Sequence, residues 1–148
     1  MVVDMSASGD LEFRTITSTD LPDIIDLVQE LRPHIDLPQL QDHFVKSAAI
    51  GYEMHAIYRN AKPAALAGFR PVITLSRGRY LHLDDLVVAA VEQKSGTGRL
   101  LLAHVENLAR QRGNVSVFLD ARPTAIPFYA KSAYIPATAP SYWKSLKS

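Results

Sequence analysis

Hydrophobic and polar positions in the first third of the chain follow one strand pattern and two helix patterns. Apolar and polar residues alternate over residues 11–17, which is typical of a half-buried β-strand. Apolar residues then recur at helical spacing over residues 21–31, after side-chain oxygens that suit an N-cap, and again over about residues 38–48. The pattern therefore predicts a strand followed by two helices.

The middle of the chain predicts three strands joined by tight turns. Residues 52–58 and 64–75 are rich in apolar residues and are separated by a turn at Asn60. A further apolar run covers residues 80–91, after a turn that contains Gly78. Because short turns join consecutive antiparallel strands, we expect a three-stranded meander.

The last third of the chain alternates helices and strands. A helix is predicted over about residues 99–109 and a short buried strand over residues 115–119. A strand–helix–strand unit of this length favours a parallel strand pair. A short helix follows at residues 124–131, and closing strands are expected at residues 134–135 and 142–143. The whole order indicates a mixed α/β domain rather than a doubly wound parallel sheet.

Composition and charge exclude several classes of protein. With 47% hydrophobic and 21% charged residues, the chain fits one globular domain, which we assign to residues 11–148 after a loose tail at residues 1–10. No apolar run approaches the roughly 20 residues that span a bilayer. The net charge of +1 is spread without a basic stripe, so neither a membrane nor a nucleic-acid partner is expected. The lack of cysteine fits a cytoplasmic location, and without metal-ligand spacing among the histidines we expect no metal site.

A glycine-bearing turn at residues 93–99 lies between the last strand of the meander and the next helix. The first turn of a helix has N–H groups without intrahelical partners and carries the positive end of the helix dipole. Glycine lets a phosphate approach the backbone closely, so the turn suits an anion. Strand-to-helix turns also use glycine for steric reasons alone, so the turn is not decisive.

Three stretches of the chain together resemble a known family. They are residues 83–88 (Leu-Asp-Asp-Leu-Val-Val), the turn Gln93-x-x-Gly96-x-Gly98, and Phe128-Tyr129-x-Lys131-x-Ala133-Tyr134. They are similar to the GNAT superfamily of acetyl-CoA-dependent N-acetyltransferases. Within that family, residues 31–34, 51–52, 67–70, 84–87 and 119–120 look most like a bacterial histone-acetyltransferase-like branch. Ala133 stands where the family has glycine. The resemblance covers nearly the whole chain after Asp10, and it implies a mixed, mostly antiparallel central sheet of about six or seven strands flanked by about four helices.

The resemblance implies that acetyl-CoA is the acetyl donor. It implies that backbone N–H groups of residues 94–99 surround the pyrophosphate, and that the backbone of Val87 and Val88 pairs with the pantetheine arm. Lys94 and Arg99 would add charged contacts to phosphate. The implied donor-binding residues are Val87, Val88, Gln93, Lys94, Ser95, Gly96, Thr97, Gly98 and Arg99.

Direct acetyl transfer selects four candidate catalytic residues. The reaction needs a deprotonated amine and an acid for the leaving thiolate, and it needs no covalent enzyme intermediate. The resemblance places Tyr129 near the cofactor sulfur, where a phenol can donate a hydrogen bond or a proton. Asp84, Asp85 and His82 stay open as the base, with Asp84 the first choice and a water chain an equal possibility. Strand alternation puts His82 and Asp84 on one face and Asp85 on the other, unless a bulge intervenes.

These residues and the resemblance predict an N-acetyltransferase that acts on a primary amine of an unidentified acceptor. The alternative is a non-catalytic acyl-CoA-binding sensor or partner module, which would keep the turn and lose the chemistry. An unrelated nucleotide-phosphate binder ranks last, because Arg99-Leu100 follow Gly98 where a P-loop has lysine and a hydroxyl. The resemblance also favours a homodimer, and it places residues 34–36 beside the acceptor pocket.

Overall fold

The fold was analysed in a computed structural model that describes residues 10–147. The tail predicted for residues 1–10 therefore lies, except for Asp10, outside the described residues. The helices and strands are, in chain order, β1 (Leu11–Thr15), α1 (Leu21–Leu31), α2 (Leu37–Ala48), β2 (Glu53–Arg59), β3 (Lys62–Thr74), β4 (Gly78–Val88), α3 (Thr97–Gln111), β5 (Ser116–Leu119) and α4 (Ile126–Lys131). Short 3-10 turns precede α1, α3 and α4. The predicted mixed α/β order is confirmed.

The strands form one sheet in the order β1-β2-β3-β4-β5. The first three pairings are antiparallel, as expected for strands joined by tight turns, and β4 pairs with β5 in parallel through the α3 crossover. The last parallel pair joins Leu83 to Leu119, and β4 continues to Val88 after β5 has ended. The two strands therefore part at the end of β4 that leads into the glycine-bearing turn.

The closing strands predicted at residues 134–135 and 142–143 are wrong. Within residues 10–147 the sheet has five strands, fewer than the six or seven expected. Tyr134 instead belongs to the C-terminal cap of α4, where its N–H donates to Tyr129 O at 3.0 Å and the Ala133 N–H donates to Ala130 O at 3.1 Å. Tyr142 and Trp143 are about nine-tenths exposed at 92% and 89%, and they pair with no strand of the sheet.

The α4 cap places Ala133 in the left-handed region, at φ +68°. A non-glycine residue pays a steric cost of about 1–2 kcal/mol in that region, so Ala133→Gly is expected to raise the free energy of unfolding by about 1 kcal/mol. Urea unfolding measures this change. Ala130→Gly, inside α4, is the matched control and is expected to lower the free energy of unfolding by roughly 0.5–1 kcal/mol. Equal destabilisation by both changes would contradict the expectation.

The sheet is covered by helices on both faces. One face of the central strands, including Met54, Tyr58 and Leu66, packs with buried residues of α1 and α2. The other face, including Ile57 and Phe69, packs with the buried side of α3. Burial of these apolar side chains holds the helices against both faces of the sheet, because each Å² of apolar area removed from water contributes about 25 cal/mol to the stability of the fold. Within residues 10–147, no helix is both long and apolar enough to cross a membrane.

A histidine pair, with His55 buried and His104 half-buried, lies between the sheet and α3. His55 Nδ1 is 2.9 Å from His104 Nε2, and His55 Nε2 is 3.3 Å from a Glu53 carboxylate that also binds Arg112. Burial lowers the pKa of His55, although Glu53 opposes the shift, and burial followed by the His55 charge lowers the pKa of His104. The folded chain therefore disfavours protonation of both imidazoles.

Stability is expected to fall in mild acid because of this pair. The unfolded chain takes up protons at these histidines around the ordinary pKa of 6.5, before the folded chain does. The histidines' contribution to the free energy of unfolding is therefore complete above that pH and is lost as the pH falls through their lower folded-state pKa. The loss is at most about 1.4 kcal/mol per pH unit for each proton. Urea unfolding between about pH 7.5 and 5.5 measures the slope. His104→Gln should reduce the slope, whereas the control His34→Gln, on an exposed loop, should not.

Candidate active site

A β-bulge brings two carboxylates onto one face of β4. The β3–β4 register pairs Gly68 with Asp85 and Phe69 with Leu83, which leaves Asp84 as the extra residue of β4. Strict alternation would place Asp84 and Asp85 on opposite faces. Both carboxylates instead line the same cavity, because the bulge shifts the alternation by one residue.

That cavity, here called the carboxylate cavity, lies between α1, α2 and the sheet and has a volume of about 460 Å³. Its wall is largely aliphatic, and the aliphatic members are Val28, Leu31, Ile35, Leu40, Ile50, Met54, Leu66 and Val87. Its polar members are Arg32, His43, Ser47, Tyr52, Arg70, Asp84 and Asp85. The volume falls within the roughly 300–1,000 Å³ of pockets that hold small ligands.

The Asp84 carboxylate is engaged from two sides. Its Oδ1 lies 2.9 Å from His82 Nδ1, and its Oδ2 accepts a hydrogen bond from Arg70 Nε at 2.9 Å. Burial raises the pKa of Asp84, but the hydrogen bonds from His82 and Arg70 outweigh burial, so the pKa lies below its ordinary value. A carboxylate with a lowered pKa is a weak proton acceptor. Asp84 is therefore better suited to hold His82 in one orientation.

Asp85 is held mainly by a tyrosine. The Tyr52 hydroxyl donates to Asp85 Oδ2 at 2.7 Å, and Arg32 Nη2 lies 3.8 Å from Oδ1. Burial, followed by the charge of Asp85, raises the pKa of Tyr52 far above its ordinary value, so the hydroxyl stays protonated and keeps donating. Gly68 makes room for this bond, because a Cβ at that position would overlap the Tyr52 hydroxyl.

A second cavity of about 370 Å³ lies on the other side of His82. It is lined by residues of β4, β5 and the C-terminal segment, among them Phe118, Asp120 and Ser141. His82 Nε2 faces this side, 4.0 Å from the exposed carboxylate of Asp120. The His82 ring therefore stands between the Asp84 carboxylate and the second cavity.

The glycine-bearing turn opens α3 without a side-chain cap. Gly96 is the N-cap residue with φ +89°, and a Cβ there would meet open space. Lys94 also has a positive φ of 68°. Gly98 lies in close contact with the end of β4, since a Cβ on it would stand 2.9 Å from Val88 Cγ2. The first turn of α3 is thus packed directly against the part of β4 that extends beyond β5.

A buried ion pair anchors this turn to β2. Both Glu92 carboxylate oxygens accept hydrogen bonds from Arg59 Nε at 3.0 Å, and the two side chains are only 12% and 14% exposed. The Thr97 hydroxyl donates to Glu92 Oε1 at 3.0 Å, and it lies 2.7 Å from the Ser95 hydroxyl. The Thr97 and Ser95 side chains therefore point toward the anchor, while residues 93–96 of the turn are exposed.

Comparison with known proteins settles the family. The family model described as "Acetyltransferase (GNAT) domain" matches residues 34–145. The chain belongs to the GNAT acetyltransferase family. An uncharacterized N-acetyltransferase of Bacillus subtilis is 31% identical over 110 residues, which cover 70% of this chain and 75% of that protein. The glucosamine 6-phosphate N-acetyltransferase 1 of rice is 28% identical over 142 residues, covering 88% of this chain and 86% of that protein.

Solved structures agree with the GNAT assignment of the fold. An acetyltransferase of Trypanosoma brucei superposes with a TM-score of 0.77 at 21% identity, over 92% of this chain and 100% of that chain. The predicted family and the predicted enzyme class, an N-acetyltransferase, are therefore confirmed. The alternative of a non-catalytic binding module finds no support in the Bacillus subtilis and rice relatives, which are both described as N-acetyltransferases.

The GNAT fold brings most of the predicted site residues to one end of β4. His82, Asp84 and Asp85 lie on the face of the sheet that carries α1 and α2. Tyr129 packs with the apolar residues on the opposite face of the sheet, which α3 covers. It is half-buried there, and its ring contacts Phe128 and Tyr134. Burial raises the pKa of Tyr129, which keeps the phenol protonated. Of the three residues proposed to border the acceptor pocket, the carboxylate cavity includes Ile35, while Asp36 caps α2.

Several residues of the GNAT site escape sequence reasoning. Arg70 and Arg32 reach the carboxylates from β3 and from the end of α1, and no local pattern distinguishes them from other surface cations. Gly68 does carry a signal, since a glycine inside an apolar strand often marks a close approach of another group. Among residues 10–147, no group of three or more His, Cys, Asp or Glu side chains is arranged to hold a metal ion.

Proposed function

We propose that this GNAT enzyme transfers the acetyl group of acetyl-CoA directly to a primary amine bound in the carboxylate cavity. The observation that carries the proposal is the bulge in β4, which turns two carboxylates toward one cavity next to the point where β4 and β5 part. An amine needs such a group to attract it and to accept its proton. The gap between the strands leaves the end of β4 open to the donor.

The donor would bind along the end of β4 and the start of α3. Val87 and Val88 pair with β3 but lie beyond the last β5 pair, so the edge of β4 that faces away from β3 is available there to a pantetheine amide. Gly96, where a side chain would meet open space, and the first turn of α3 offer backbone N–H groups and the positive end of the helix dipole to a pyrophosphate, and the Thr97 N–H at that turn donates to Ser95 Oγ at 3.4 Å. Lys94 and Arg99 are exposed beside that turn and would add charge. Gln93 begins the same turn, and its Nε2 lies 3.4 Å from Val88 O.

The base is assigned to Asp85 rather than to Asp84. Asp84 already accepts from Arg70 and interacts with His82, and its pKa is lowered. Asp85 has one short hydrogen bond, from Tyr52, and lines the cavity. Asp85 would take the amine proton, directly or through a water molecule, as the amine nitrogen attacks the thioester carbon and the carbon–sulfur bond breaks. His82 would pass a proton toward the second cavity, and Tyr129 remains our proposed acid for the thiolate.

Acetyl-CoA binding and thiol release test the proposed function. Calorimetry should show binding of acetyl-CoA, and thiol release from acetyl-CoA should depend on an added primary amine. An acetylated amine should be detected by mass spectrometry in amounts that match the released thiol. Binding without amine-dependent release would contradict the transfer reaction, and the absence of binding would contradict the donor.

A further inference from the structure

Two arginine side chains and two carboxylates line the carboxylate cavity. Asp84 is paired with Arg70, and Asp85 has Arg32 at 3.8 Å. The positive charges of the two arginines balance the negative charges of the two aspartates. An acceptor that carries one negative charge besides its protonated amine would keep this balance, because each of its charges could lie beside an opposite charge of the cavity.

Arg32 is placed to bind that negative charge. Its side chain lines the cavity and is 40% exposed. Its contacts are the 3.8 Å approach to Asp85 and a 3.4 Å hydrogen bond from Nη1 to the carbonyl of Leu31. Neither has the length of a charge-assisted hydrogen bond, which is about 2.7–2.9 Å. The guanidinium fork is therefore available for a carboxylate, which it can bind with two parallel N–H groups.

Apart from His43, Ser47 and Tyr52, the remaining wall of the cavity suits an apolar side chain. Ile35, Leu40, Met54, Leu66 and Val87 present only aliphatic or thioether groups. Hydroxyl groups of a sugar placed against this wall would lose their hydrogen bonds to water without replacement. The wall therefore disfavours the kind of acceptor for which the rice relative is named, glucosamine 6-phosphate, although that molecule also carries an amine and an anion.

We infer that the acceptor is an α-amino acid with an apolar side chain. Its amine lies beside Asp85, its carboxylate binds Arg32, and its side chain packs on the aliphatic wall. The inference rests on the proposed acetyl transfer and adds the substrate class of the same cavity. The product is the N-acetyl amino acid: the amine nitrogen forms the amide bond, the thioester bond breaks, and the amine proton leaves by way of Asp85 while the thiolate of CoA is protonated.

Initial rates of thiol release at saturating acetyl-CoA test the inference with leucine, leucinamide, serine and glucosamine 6-phosphate. Leucine is expected to be the best acceptor of the four. Arg32→Gln should lower kcat/KM for leucine by about 10- to 100-fold, the effect of losing a hydrogen bond between charged groups. The same change should alter kcat/KM for leucinamide by less than about threefold, because leucinamide has no carboxylate. Lys46→Gln, a change to an exposed cation of α2, is the control and should leave both values unchanged.

The outcomes separate this inference from the proposed function. Equal losses for leucine and leucinamide in Arg32→Gln would overturn the role of Arg32, and a preference for glucosamine 6-phosphate or serine would overturn the substrate class. In either case, amine-dependent thiol release would leave the proposed function standing. If acetyl-CoA did not bind at all, the proposed function would fail and the inference would fail with it.

Discussion

A Gly96→Glu variant is expected to lose at least about 100-fold in affinity for acetyl-CoA. Each hydrogen bond to a charged group contributes about 1.5–3 kcal/mol, so losing two backbone N–H contacts to the pyrophosphate accounts for a factor of this size. The new carboxylate would also stand at the positive end of the α3 dipole, in the space that the phosphates need. Calorimetric titration with acetyl-CoA measures the loss.

Gly113→Glu is the matched control for this variant. Gly113 follows the other end of α3, also has a positive φ of 79°, and also has open space where a Cβ would be. Both variants therefore pay a similar backbone cost of about 1–2 kcal/mol, and their thermal unfolding should shift alike. Only Gly96→Glu should lose acetyl-CoA binding. Equal affinities in the two variants would show that the turn does not hold the pyrophosphate.

An Asp85→Asn variant is expected to lose about 100- to 10,000-fold in kcat, the usual contribution of a general base. Asparagine has nearly the same shape, and its carbonyl oxygen can still accept the hydrogen bond from Tyr52, so the fold and the cavity should persist. Acetyl-CoA affinity should stay within about twofold, because Asp85 lies on the acceptor side of β4. Thiol release under saturating acetyl-CoA and amine measures kcat.

Asp84→Asn distinguishes the two carboxylates. It leaves an oxygen that can accept from Arg70, but it removes the negative charge that holds the His82 ring. We expect a loss in kcat of about tenfold, clearly smaller than that of Asp85→Asn, because Asp84 acts through His82 rather than on the amine. A larger loss in kcat for Asp84→Asn, with Asp85→Asn close to the unchanged enzyme, would identify Asp84 as the base. Amine binding would then have to reverse the lowered pKa of Asp84.

The order of elements is readable from local patterns because each pattern depends on residues close in sequence. The helical spacing of apolar residues over residues 21–31 places α1 where the structure has it, at Leu21–Leu31. The glycines at positions 96 and 98 correctly mark the start of α3. The pattern failed at residues 134–135, because the same residues can extend a sheet or close a helix, and the hydrogen bond from Tyr134 N–H to Tyr129 O selects the helix cap.

The arrangement of the site depends on pairings that no local pattern contains. Asp84 and Asp85 are conspicuous in the sequence, but the register between β3 and β4 decides that both face one cavity. At the bulge, that register pairs Gly68 with Asp85 and Phe69 with Leu83, residues well separated in sequence, and a shift of one residue would turn a carboxylate to the other face. Likewise, Tyr52 reaches Asp85 only because Gly68, on the strand between them, has no side chain.

The proposed donor site and the proposed acceptor site also differ in how much of each can be predicted from the sequence. The acetyltransferase family and the turn at residues 93–99 follow from the chain itself, because the motif is a contiguous run, and we propose that its backbone binds the pyrophosphate. The carboxylate cavity is assembled from α1, α2, β2, β3 and β4. Its positive charges come from arginines at positions 32 and 70, which lie far apart in sequence. Folding brings these groups together because burying the apolar faces of the helices against the sheet fixes their positions.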